Sequence, residues 1–170
     1  MTPVLMVREA GRRLRPASKH EILESASAYI RTQMIGTLPL DSPAATARYL
    51  IAQLSAYEHE VFGMIVMDNR HRCIDVQHLF RGTIDGASVH PREVVKAALV
   101  SNASSVIFFH NHPSGVCEPS TADELITRRL REALALIDIR VLDHIIVAGQ
   151  QTLSFAERGL LCAPRRSCCR

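Results

Sequence analysis

The chain has no tryptophan, and aromatic residues make up only 5% of it. No apolar run approaches the length needed to span a bilayer, which excludes a helical transmembrane segment. At the N-terminus, Val4–Val7 is too short an apolar core for a secretory signal. An excess of one charge is also missing. Twenty Lys and Arg against seventeen Asp and Glu leave a formal charge of +3, too small for composition to argue for or against nucleic acid. The five cysteines include no C-x-x-C pair, which disfavours a cysteine zinc ribbon or a thioredoxin-like site. Internal repeats and low-complexity tracts are absent as well. These absences predict a cytoplasmic protein without membrane contact.

What is present is an ordinary globular balance. With 170 residues, 47% of them apolar and 22% charged, the chain can bury one sizeable core. We expect an arm and helix over 1–40, a folded domain over 41–161, and a tail over 162–170 that carries Cys162, Cys168 and Cys169. The tail reads as loose, basic and reduced. Residues 1–19 are rich in arginine with little periodicity, and read as a solvated arm.

Periodicity then sets out the elements in order. Ile22, Ala26, Tyr29 and Ile30 recur at helical spacing over 20–34, and Gly36 and Pro39 end that helix. Asp41-Ser42-Pro43 starts a second helix, through Tyr49, Leu50 and Leu54. Strands are predicted over 58–68 and 73–79, joined at Asn69-Arg70. A helix over 92–102 should bury Val94, Val95, Ala98 and Leu99. Ser105–Phe109 is a short, continuously apolar run, suited to a strand covered on both faces. Leu125, Ile126, Leu130, Ala133, Leu134 and Ile137 define a helix over 121–136. Ile139–Leu142 and Ile145–Ala148 look like two short strands around Asp143-His144, which reads as a turn with a hydrogen-bonded His or as a pair able to support a histidine ligand, and Leu153–Phe155 looks like a last strand. Alternating helices and strands make the class α/β with a central sheet.

The chemistry concentrates in 106–124, where the apolar run leads into His110-Asn111-His112-Pro113-Ser114-Gly115 and then Ser120-Thr121-Ala122-Asp123-Glu124. In an extended backbone, residues two apart point the same way, so both imidazoles can face one point. Two imidazoles and a carboxylate are a three-ligand zinc set with a position left open. Such a site hydrolyses amides if a carboxylate that is not a ligand moves the proton, and if a donor meets the developing oxyanion. Ser120 lies one helical turn before Asp123 and can face the same site. A purely structural reading also exists, since Ser120 or Thr121 followed by Asp123 or Glu124 reads as a helix cap and Thr121-x-x-Glu124 has the form of a capping box, but it leaves both histidines unexplained. The spacing His-x-His-x7-Ser-x-x-Asp arises by chance in roughly one chain of this length in a thousand. Nothing local identifies the general base. Cys117 lies in the loop between the ligands and could compete for the metal.

At these residues the sequence resembles the JAMM/MPN metalloprotease motif, and more narrowly the RadC family, whose His-Asn-His-Pro-Ser-Gly signature stands unchanged at His110–Gly115. Glu60-Val61-Phe62, Phe80–Thr83, Pro91–Val94, Asp143–Val147 and Ser154-Phe155 extend the likeness over about 55–161. The resemblance implies a JAMM or cytidine-deaminase-like α/β sandwich, a central mixed sheet flanked by helices. It also implies a zinc-dependent peptidase or isopeptidase, with zinc held by His110, His112 and Asp123. Ser120 would stabilise the oxyanion and Glu60 would be the base. Glu58, two residues away, faces the same side of an extended chain and is the alternative. The helix-hairpin-helix module of longer relatives is not visible in 1–55, which weakens the second reading, a DNA repair or recombination accessory protein. A nucleobase deaminase would need His-x-Glu and Pro-Cys-x-x-Cys, and neither occurs. Substrate and oligomeric state are not written in the sequence.

Overall fold

The computed structural model describes residues 6–8, 14–34, 42–82 and 89–161. The tail with its three cysteines, the stop at Gly36 and Pro39, and Asp41 lie outside the described residues. In chain order the elements are β1 (Met6–Arg8), β2 (Leu14–Pro16), α1 (Lys19–Met34), α2 (Pro43–Leu54), β3 (Val61–Met67) and β4 (Cys73–Arg81). Then come α3 (Pro91–Val100), β5 (Ser105–Asn111), α4 (Thr121–Ala135), β6 (Arg140–Ala148) and β7 (Gln151–Ser154). The expected α/β class holds, with a central mixed sheet flanked by helices. Among the described residues no helix is long and apolar enough to cross a membrane.

The main sheet runs β4-β3-β5-β6-β7. Only β5 and β6 are parallel, and the other three pairings are antiparallel. A parallel pair needs a crossover, and α4 supplies it. The helix therefore begins beside the carboxyl end of β5, the end at which open α/β sheets hold their ligands.

All seven residues of β3 and all seven of β5 are buried, because both sheet faces are covered. Ile65, Ile107 and Phe109 pack with Tyr49, Leu50 and Leu54 of α2. Met64, Val66, Val106 and Phe108 pack on the opposite face with Val94 and Ala98 of α3 and Leu130 and Leu134 of α4. Strand alternation thus puts His110 on the α4 face, two residues beyond Phe108. At Gly63 the sheet leaves no room for a side chain. An added Cβ would overlap the Phe109 ring and the Gln77 carbonyl oxygen.

Three expectations need correction. Residues 6–8 and 14–16, read as a solvated arm with little periodicity, form a small antiparallel sheet, with Val7 opposite Arg15. Three-residue strands are too short to show a period. Arg15 grips Glu21 in the first turn of α1 through two bonds of 2.6 and 2.8 Å. Strand β6 is one continuous strand, so Asp143-His144 is no turn. Asp143 instead accepts bonds from the amides of His144 and Ala156 and from the Ser154 hydroxyl. Finally, Leu99 of α3, expected on the buried side, is 55% accessible, and Tyr29 of α1 is 66% accessible.

Candidate metal centre

His110 is the next-to-last residue of β5, and His112 follows the strand's end. Pro113 and Ser114 then make the central pair of a tight turn closed by Gly115 N–H donating to the His112 carbonyl at 3.1 Å. Proline first and glycine last suit a type I turn. Gly115 takes φ of +78°, a conformation open to residues without a Cβ. The chain folds back, and His112 Nδ1–H donates to the Val116 carbonyl at 2.8 Å. That bond fixes the ring and turns Nε2 inward.

Helix α4 delivers the carboxylate. Ser120 is its N-cap and Asp123 its third residue, in a reciprocal capping box. Of the caps that the sequence allows, Ser120 or Thr121 with Asp123 or Glu124, the structure uses Ser120 with Asp123. Ser120 N–H and Oγ–H both donate to Asp123 Oδ2, at 2.7 and 2.6 Å, while Asp123 N–H donates to Ser120 Oγ at 3.1 Å. This locks the carboxylate toward the histidines. His110 Nε2 lies 2.9 Å from His112 Nε2 and 3.3 Å from Asp123 Oδ1, and His112 Nε2 lies 3.6 Å from Asp123 Oδ2.

Bonds of about 2 Å at tetrahedral angles would hold donor atoms about 3.3 Å apart, so the spacing fits a zinc ion. Among the described residues, His110, His112 and Asp123 form the one such group of potential ligands, and Cys117 is not in it. Its side chain packs instead against the cluster of Ile146, Leu153 and Phe155.

The electrostatics match. Burial works to raise the Asp123 pKa, yet the neighbouring His110 and His112 imidazoles carry it far below the carboxylate range. The His112 pKa is raised, first by its bond to Asp123. Glu60, half-buried just before β3, has its pKa raised by desolvation, with the charges of His110, Asp123 and His112 all acting on it. Glu58 is exposed.

The sequence reading singles out neither Asn111 nor Thr127, whereas it does single out His144, as half of an Asp143-His144 pair. Asn111, between the histidines, accepts from Val61 N–H at 2.8 Å and donates to the His59 carbonyl at 3.0 Å. His144, with 0% of its surface exposed, lies with Nε2 2.8 Å from His110 Nδ1 and Nδ1 2.6 Å from Thr127 Oγ1. The Phe155 ring packs on His144 with centroids 4.7 Å apart. A polar residue set between the two candidate ligands was the available signal for Asn111; Thr127, one turn after Asp123, gave none.

Known proteins share this arrangement of sequence. A family model described as the RadC-like JAB domain matches residues 40–160. A UPF0758 protein of Nitrosococcus oceani is 68% identical over 122 residues, which cover 72% of this chain and 54% of that one. A UPF0758 protein of Marinobacter nauticus is 61% identical over 123 residues, covering 72% of this chain and 55% of its own. A UPF0758 protein of Vibrio cholerae is 51% identical over 145 residues, 85% of this chain and 91% of its own. The chain thus spans little more than half the length of the first two and most of the third. With the signature, the fold and these matches agreeing over the same residues, the chain belongs to the RadC family and carries its JAB domain.

Proposed function

We propose that this domain is a zinc-dependent hydrolase of JAMM type that cleaves a peptide or isopeptide bond. The observation that carries the reading is the convergence of His110, His112 and Asp123 with their donor atoms at metal-sharing distances, beside a half-buried carboxylate that is free of that set. When bound, zinc supplies Lewis acidity toward a carbonyl and toward water. Glu60 takes a proton from the attacking water and delivers it to the departing amine, and its raised pKa suits both halves of that task. Ser120 meets the oxyanion. Its hydroxyl proton rests on Asp123 Oδ2, so this role requires the hydroxyl to rotate off the carboxylate as charge develops on the substrate.

The test is zinc analysis of purified protein together with a screen of peptide and isopeptide substrates. One zinc per chain is expected for wild type and for Glu60→Gln, with hydrolysis only in wild type. His110→Ala and Asp123→Ala should lose the metal. A wild-type protein that takes up no added zinc would overturn the proposal, and unchanged hydrolysis in Glu60→Gln would move the base elsewhere.

A further inference from the structure

We infer that Thr127 and His144 are positioning residues that fix the tautomer of His110, so that its Nε2 offers a lone pair to the metal; the inference rests on the zinc reading above. The direction of each bond follows from who can donate. Thr127 Oγ1 lies 2.5 Å from the Asp123 carbonyl oxygen, which can only accept, so the hydroxyl proton lies on that bond. The contact of Thr127 Oγ1 with His144 Nδ1 at 2.6 Å then needs its proton from the ring. His144 is enclosed by Phe62, Phe108 and Phe155. No carboxylate bonds its ring among the described residues, so it holds one ring proton, on Nδ1. Its Nε2 is therefore an acceptor, and the 2.8 Å contact takes its proton from His110 Nδ1. His110 Nε2 is left bare, aimed at His112 and Asp123.

The relay is closed through the helix. The same residue that supplies a carboxylate to the cluster supplies, through its backbone carbonyl, the acceptor that orients Thr127. A change in how α4 starts would thus reach His110 by two routes, through Asp123 Oδ1 and through Thr127 and His144. The arrangement also explains why a hydroxyl and an imidazole occupy a position between sheet and helix where apolar residues would pack.

The test begins on metal-free full-length protein, with histidine tautomers read from nitrogen-15 NMR at pH 8. His110 and His144 should both carry their proton on Nδ1. Thr127→Val keeps the β-branched shape but cannot accept from His144 or donate to Asp123. It should shift both rings toward the Nε2–H form and weaken zinc binding about 10- to 100-fold in a chelator competition, with one zinc still bound at saturation. Thr127→Ser should restore both readouts. Finding His110 in the Nε2–H form in wild type would overturn the inference, as would unchanged tautomers and zinc affinity in Thr127→Val. A Thr127→Ser variant as weak as Thr127→Val would also overturn it, because shape and not the hydroxyl would then matter. If wild type takes up no zinc the hydrolase reading fails, while the tautomers still decide the relay.

Discussion

Asn111 brackets Glu60 from the neighbouring strand. Its amide oxygen accepts from Val61 N–H and its amide nitrogen donates to the His59 carbonyl, so one side chain holds both peptide groups that flank Glu60. The residue between the two histidines therefore ties the ligand strand to the proposed base. Parity requires it, because the histidines face α4 while Asn111 points the other way.

Replacing Asn111 with Leu should cost about 1–3 kcal/mol in urea unfolding, since the buried Val61 N–H loses its partner. Zinc stoichiometry should stay at that of wild type, because Asn111 offers no donor to the cluster. Loss of zinc in a folded variant would show that the residue does more than hold the base segment.

Ser120→Ala removes the N-cap hydroxyl of α4. A loss of about 1 kcal/mol is expected, measured by denaturant titration of the metal-free protein. The Ser120 amide still donates to Asp123 Oδ2 at 2.7 Å, so zinc should be retained with reduced affinity. Hydrolysis should fall far more than affinity does if the hydroxyl meets the oxyanion.

Glu60 gives a pH dependence with a definite sign. Desolvation raises its pKa in the folded protein, so the folded state binds this proton more tightly than the unfolded chain. Its contribution to stability is greatest below the ordinary carboxyl range and declines as pH rises through the folded pKa. Metal-free Glu60→Gln should melt at the wild-type temperature or below at low pH, then gain on wild type as pH rises. A difference between the two that is flat with pH would show that Glu60 is not held in a desolvating site.

Gly63 should tolerate no side chain. Gly63→Ala would drive a methyl into the Phe109 ring and the Gln77 carbonyl, and a loss of about 1–3 kcal/mol is expected from overpacking. Phe109 precedes His110, so zinc affinity should fall as well. Thermal melting and chelator competition on the same samples separate the two effects.

The sequence by itself determined the candidate ligand types, the turn that follows them and the helix that carries the third. His-x-His in a strand, Pro and Gly in a tight turn, and Ser-x-x-Asp at a helix start are local patterns, and local backbone geometry decides where such side chains point. The class of fold was legible for the same reason, since periodicity is a property of neighbouring residues. Only the tertiary structure shows that Glu60 is half-buried while Glu58 is exposed, because that depends on the register between strands about 50 residues apart. It also decided that Asp143-His144 lies inside a strand, where burial against Phe155 and pairing with β5 override a turn-like dipeptide. Tyr29 and Leu99 kept their helical spacing without being buried, because a period says which face is apolar and not whether another element covers it.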